Sequence, residues 1–234
     1  MEARGNMDKM YEIDSDFRVG RPLPVFPEEV VKNEPMFFSA QPSFALAAGG
    51  PITKAFLEAA LFDDGLATDC VTRYDRNFCF DSRVHMLMPG WFPCIPGWHH
   101  DDVPRSRGDG QPNYENPEYR SKHILALVNG NICPTEFAVG KAAYPHVDGV
   151  VYKAWHELVE QDIADDVMKR VKVPTNFLVH FNDRSFHQGT RAVGRGFRWF
   201  GRLSYDAGYD QGRPHHNEIR RQVNVYLDMP MEGW

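Results

Sequence analysis

Two short stretches of the chain hold the residue types that metal chemistry needs. The first is Trp98-His99-His100-Asp101-Asp102, two imidazoles and two carboxylates in four consecutive positions. Both groups are ligands for first-row divalent metals. In an extended segment residues two apart share a face, so His99 with Asp101, or His100 with Asp102, can grip one ion from the same side. The second stretch, Phe181-Asn-Asp-Arg-Ser-Phe-His-Gln-Gly-Thr190, carries His187, 86 residues after Asp101, in a short segment ending at Gly189. Two histidines and one carboxylate on one face of an octahedron leave three adjacent positions open, the arrangement of non-haem Fe(II) oxygenases. His180 competes for the third position. It lies among Phe177, Val179 and Phe181, where a core histidine is the simpler explanation.

The strand after His187 narrows the chemistry. Arg198, Phe200 and Arg202 occupy every second position of Phe197–Tyr205, so both arginines point to one face of a strand. Two inward guanidinium groups are costly to bury unless anions meet them. A dicarboxylate such as 2-oxoglutarate suits them, because guanidinium and carboxylate match bidentately.

The elements that must position these groups are mostly short. Seventeen prolines and nineteen glycines punctuate a chain of 234 residues. Strands are expected at Arg83–Met88, His123–Val128, Thr135–Val139, Val150–Trp155, Asn176–Asn182, Ser185–Gly189, Phe197–Tyr205 and Gln222–Leu227. One helix is expected from Ile52 to Phe62, with Pro51 in its first turn and Gly65 as a stop. A second is expected from Glu157 to about Val171, burying Leu158, Ile163, Val167 and Val171. The pattern predicts a mainly β fold with flanking helices, a sandwich or jelly roll, in one domain. Residues 1–75 would supply an N-terminal arm and supporting helix, with the polar, proline-bearing 1–35 draped over the domain; 76–234 would form the core and a C-terminal extension. Val103–Ser121, nineteen residues with one aliphatic side chain, reads as a long loop beside the site.

Trp-His-x-Asp, a later His and an Arg on the next strand resemble the Fe(II)/2-oxoglutarate-dependent dioxygenases. Within them the WHHD and HQGT elements are most similar to the phytanoyl-CoA hydroxylase-like branch. The resemblance covers roughly Arg83 to Tyr205 and implies a double-stranded β-helix core of cupin type. By motif position it implies His99, Asp101 and His187 as iron ligands and Arg198 as the holder of the distal carboxylate of 2-oxoglutarate. Arg202 would serve the cosubstrate or an anionic substrate. Asp101 stands where halogenases of this class carry a small residue, so the implied reaction is an O2-dependent hydroxylation or related oxidation of a small molecule, releasing succinate and CO2.

Other readings have their own features. A cupin-type metal enzyme or small-ligand-binding protein would need no arginine after His187, and a non-enzymatic jelly roll would need no metal. His85 and Arg83 face either the pocket or the sheet surface, and His215-His216 reads as a solvated loop. A net charge of −6 and the lack of a Lys/Arg run count against a nucleic-acid partner. No apolar run approaches the ~20 residues of a membrane span. Cys70, Cys79, Cys94 and Cys133 form no C-x-x-C pair and are expected as free thiols in the cytoplasm. Substrate and oligomeric state are left open.

Overall fold

The computed structural model describes residues 9–63, 75–209 and 211–227. The stretch expected as a draped arm instead supplies two strands, β1 (Met10–Ser15) and β2 (Arg18–Pro22), one to each main sheet. Along β1, Tyr11, Ile13 and Ser15 are buried while Met10, Glu12 and Asp14 are exposed. The alternation has only three inward positions, too few to stand out beside the prolines that come next. Ser15 Oγ donates to the Ala138 carbonyl at 2.5 Å and accepts from the Phe186 N–H at 2.9 Å, tying β1 into the sheet.

Helix α1 (Glu28–Asn33), strand β3 (Met36–Phe38), α2 (Pro42–Ala48) and α3 (Pro51–Asp63) come after these strands. Pro51 opens α3 as its missing N–H allows. The buried Glu34 carboxylate accepts from the N–H groups of Ile52 (3.2 Å) and Thr53 (2.8 Å), satisfying orphan donors at the positive end of the helix. Gly65, the expected stop, lies outside the described residues.

Strands β4 (Cys79–Leu87), β5 (Lys122–Val128), β6 (Thr135–Pro145), β7 (Met168–Lys172), β8 (Phe177–Asn182), β9 (Phe186–Gly189) and β10 (Gly196–Tyr205) form the core. Their antiparallel pairs nest like one long folded hairpin: β4 with β10, His99 with His187 of β9, β5 with β8, and β6 with β7 at the tip. Winding that hairpin gives a five-stranded sheet, β2-β8-β5-β10-β4, facing a sheet of β1, β6, β7 and β9. This is a double-stranded β-helix, a jelly roll. A short β11 (Glu218–Arg220) pairs with β3; past it, Gln222–Leu227 forms no strand and is held by one bridge, Phe92 to Tyr226.

Helices cover the outer face of the five-stranded sheet, where Ile52, Phe56, Leu57 and Ala60 of α3 pack on Phe80, Ile124, Leu178 and Trp199. Gly201 is required there: a Cβ would lie 2.1 Å from the Trp199 indole, which crosses it. Between the sheets Leu125, Leu127, Phe137, Val179 and Phe181 form an apolar layer. The outer face of the other sheet is covered by α4 (Val151–Ala164), which overturns the expected strand at Val150–Trp155 and moves the expected helix towards the N-terminus. Val151, Trp155 and Val159, spaced by four, are its buried stripe, whereas Leu158 and Val167 are exposed. The chain breaks at Asp166, in the left-handed region (φ 57°), and residues expected at the helix C-terminus become β7.

The interior has a pH-sensitive member. His123 of β5 is 1% exposed, flanked by Ser204 Oγ at 2.9 Å and Ser121 Oγ at 3.2 Å. Burial, reinforced by Arg202, pushes its pKa from 6.5 down to about 4. Below 6.5 the unfolded chain takes up a proton that the native state refuses until about 4, so stability falls with pH across that window. The metal-free protein is expected to lose about 2 kcal/mol between roughly pH 7 and 5 from this group. Urea unfolding of wild type and His123→Leu at both pH values checks it: the variant should show the shallower loss.

Candidate metal centre

The segment from Trp98 to Asp101 runs extended along β9. His99 and His187 exchange backbone hydrogen bonds, both 3.1 Å. Alternation then divides the cluster. Trp98 and His100 turn outward beneath α4: the Trp98 indole N–H donates to Glu160 Oε1 at 2.7 Å, and the His100 ring lies 3.9 Å from that of Phe186 and 6.2 Å from that of Trp155. His99 and Asp101 turn inward. Asp102 does not continue the pattern, because its backbone is left-handed (φ 49°) and its carboxylate meets Arg213 at 3.0 Å. His100 and Asp102 therefore face no common ion.

One donor atom from each of His99, Asp101 and His187 lies within 4.8 Å of the others. Backbone carbonyls orient both rings: His99 Nδ1 is 2.9 Å from the Gly97 oxygen and His187 Nδ1 is 3.0 Å from that of Ser185. With Nδ1 protonated to make those bonds, each ring presents its Nε2 lone pair to the interior, as a metal-ligating histidine does. His187 Nε2 then faces Asp101 Oδ2 at 3.2 Å. Two lone pairs at that distance call for a proton or a cation between them. Burial lowers the His99 pKa to about 4, with help from His187, so the ring stays neutral and able to ligate.

Asp101 keeps 25% of its side-chain surface open, towards the cavity. Burial opposes its ionisation, yet Arg202 and His187 hold its carboxyl well below the usual range. Arg202 donates to Asp101 Oδ2 and stands 3.4 Å from Asp102 Oδ2. In this structure its guanidinium orients a candidate ligand.

The three side chains open into a cavity of about 610 Å³ between the sheets. Arg198 lines the same cavity, 2% exposed; its Nη2 donates to Thr135 Oγ1 of the opposite sheet at 3.2 Å, and its Nε has no partner among the described residues. No carboxylate pairs with it among the described residues. His85, 2% exposed and directly opposite Arg198 on β4, has neither ring nitrogen in hydrogen-bonding geometry. Burial, then Arg198, lower its pKa to about 3, with the Pro93 carbonyl only weakly opposing. Gly189 closes this end: a Cβ there would come within 2.5 Å of Cys94 Sγ.

Arg83 and His85 face the cavity. His180 does not: it shares a face of β8 with Leu178, under the helices, opposite to Val179 and Phe181. His215 approaches the Phe78 carbonyl at 2.9 Å and His216 stacks on Phe38, so neither joins the site. Thr135, Cys94 and the wall made by Arg220, Gln222, Asn224 and Tyr226 carry no sequence signal. Cys79, Cys94 and Cys133 are free thiols; Cys70 lies outside the described residues. Among the described residues no helix is long and apolar enough to cross a membrane.

The donor set fits a divalent first-row ion, and the orphaned Arg198 Nε fits an oxyanion. No protein-family model matches the chain, and no curated protein sequence does. The crystal structure of iron-bound HygX from Streptomyces hygroscopicus is similar over 82% of this chain and 83% of that one, at 12% identity and a TM-score of 0.38. HygX with nickel, 2-oxoglutarate and hygromycin B bound is similar over 82% and 83%, at 12% identity and a TM-score of 0.37. Likeness this distant carries no argument about chemistry, which rests on the residues themselves.

Proposed function

We propose that this protein is a non-haem Fe(II)- and 2-oxoglutarate-dependent oxygenase that hydroxylates or otherwise oxidises a small organic substrate, releasing succinate and CO2. One observation carries the reading: a His–Asp–His donor set and a buried arginine, without a carboxylate partner among the described residues, line the same cavity. A metal alone explains the first and leaves the second as an uncompensated buried charge.

In this reading His99, Asp101 and His187 hold the iron, and Arg198 with Thr135 receives the distal carboxylate of 2-oxoglutarate. Iron, cosubstrate and O2 together supply a two-electron oxidation. The chain supplies order and dryness around it. The Gly97 and Ser185 carbonyls fix the imidazole tautomers, Arg202 aims the Asp101 carboxylate, and Leu125, Phe181 and Phe200 exclude water from one side of the cavity. Motif likeness at Trp98–Asp101 and His187–Thr190 supports the phytanoyl-CoA hydroxylase-like branch. The free thiols accord with a cytoplasmic setting and the negative charge with a small-molecule partner.

Anaerobic addition of Fe(II) and 2-oxoglutarate is expected to produce a weak visible charge-transfer band and to raise the melting temperature of the metal-loaded protein. Bound iron without a band removes the oxygenase reading. Tight metal binding with no thermal response to 2-oxoglutarate would favour a cupin-type metal enzyme or small-ligand-binding protein. Failure to retain iron, manganese, nickel or zinc would favour a non-enzymatic jelly roll.

A further inference from the structure

We propose that Arg83 anchors the substrate of this site and that the substrate carries an oxyanion, a carboxylate or phosphate-type group. The inference rests on the iron and 2-oxoglutarate reading above, because it concerns the charge left over once those two are seated.

The inward positions of β4 are Asp81, Arg83 and His85, and they face Arg202, Phe200 and Arg198 of β10 in register. Asp81 is engaged: it accepts from Arg220 Nη2 at 3.0 Å and from the Ser39 N–H at 3.2 Å. Arg83 is not. It is half-buried in the cavity wall with its guanidinium 5.7 Å from the centre of the Phe200 ring, and among the described residues it has no hydrogen bond and no ion pair. A guanidinium carries five donors, and none of Arg83's nitrogens is among the fully buried ones, so they remain open to a ligand in the cavity. Burial lowers the Arg83 pKa and the nearby Arg220 and Arg202 reinforce that, with Asp81 and Asp101 opposing.

Charge pairing across the cavity isolates the same residue. Five arginines line it: Arg83, Arg105, Arg198, Arg202 and Arg220; Asp101 is its sole acidic lining residue among the described residues. Arg220 is matched by Asp81, and Arg202 by Asp102, which the more exposed Arg213 also contacts. The distal carboxylate of 2-oxoglutarate would match Arg198, and its other carboxylate with Asp101 would match the two charges of iron. Arg83 and Arg105 remain. Arg105 is exposed at the rim and bonded to the Gly110 carbonyl. Arg83 lies one inward step, about 7 Å, from both the Asp81 and the His85 positions, between the two ends of the site. Phe200 beneath it, with Leu125 and Phe181 further along the inner face of the same sheet, offers an apolar bed. The fitting ligand has an apolar body and one anionic end.

The test uses anaerobic Fe(II)·2-oxoglutarate-loaded protein and four probes of matched shape: 3-phenylpropanoate, phenyl phosphate, 3-phenylpropanamide and 3-phenylpropylamine. The two acids are expected to raise the melting temperature and shift the charge-transfer band; the amide and amine are not. Arg83→Gln should weaken acid binding by about tenfold or more, the loss of a charge-assisted hydrogen bond, and Arg83→Lys by less. Both variants should keep the response to 2-oxoglutarate, which also shows that they fold. The proposal is overturned if neither acid binds, if the amide or amine binds as well as the acids, or if Arg83→Gln leaves acid binding unchanged. Loss of the 2-oxoglutarate response in Arg83→Gln overturns it too, by assigning Arg83 to the cosubstrate. Repeating the acid titrations without cosubstrate separates the two readings: acid binding that needs Arg83, in a wild type indifferent to 2-oxoglutarate, removes the oxygenase and leaves the anion site.

Discussion

Replacing Arg198 by methionine is expected to stabilise the metal-free protein and to abolish its response to 2-oxoglutarate. Arg198 is 2% exposed, and among the described residues its one hydrogen bond runs to a neutral hydroxyl and its Nε is unpartnered. Burial lowers its pKa, the sign of a charge the site does not compensate. Methionine is nearly as long and asks for no donors to be met. Exchanging buried ionic groups for apolar ones of similar volume ranges from neutral to a gain of about 1–4 kcal/mol. For a chain of this size each kcal/mol moves the melting temperature by roughly 2–4 °C. The same change leaves the distal carboxylate of 2-oxoglutarate buried and unpaired, a loss of about 2–5 kcal/mol, or roughly 30-fold or more in affinity. Thermal denaturation with and without the cosubstrate reads both signs together. A destabilised apo variant would make Arg198 a structural residue, and an unchanged response to 2-oxoglutarate would place the cosubstrate elsewhere.

The second large effect separates two adjacent histidines. His99→Ala is expected to lose Fe(II) by considerably more than the roughly 10–100-fold that removing a mere supporting partner costs a metal site. It should barely weaken the fold, because the ring fronts a cavity. His100→Ala is expected to do the reverse. Its ring packs on Phe186 and bonds Tyr114 at 2.8 Å, so truncation opens a hole in the cluster under α4 and should cost about 2–4 kcal/mol, with iron affinity kept. Anaerobic equilibrium dialysis and urea unfolding of both variants decide the matter. Retained iron in His99→Ala, or lost iron in a folded His100→Ala, would reverse the assignment of the pair.

That contrast also marks how far the sequence can be read. Strand alternation is local: it comes from the two-residue repeat of an extended backbone. The shared face of Arg198, Phe200 and Arg202 is therefore legible from spacing alone, and β10 presents all three to the cavity. Helix α3 is equally legible, because Pro51 and an apolar stripe need nothing distant to define them. The unusual density of ligands at Trp98–Asp102, and His187 eleven residues before Arg198, are also properties of composition and order.

Which side of a strand becomes the inside is not local. His99 and Asp101 point inward because Trp98 and His100 are claimed by Trp155 and Glu160 of α4, more than fifty residues away. That helix itself escapes a local reading, since Val150-Val151 and Trp155 suit a strand until a sheet face exists for their four-residue stripe to cover. The N-terminal strands are hidden for the same reason: β1 is defined by what it completes at β6 and β9. The pairing of charges is decided last. Arg83 and Arg202 are both inward arginines, and only the packed structure gives one of them Asp101 and Asp102 and leaves the other without an ion pair among the described residues. The chain by itself determines which groups are available and with what period they recur; tertiary burial determines which of them share an interior and which charges remain unmatched there.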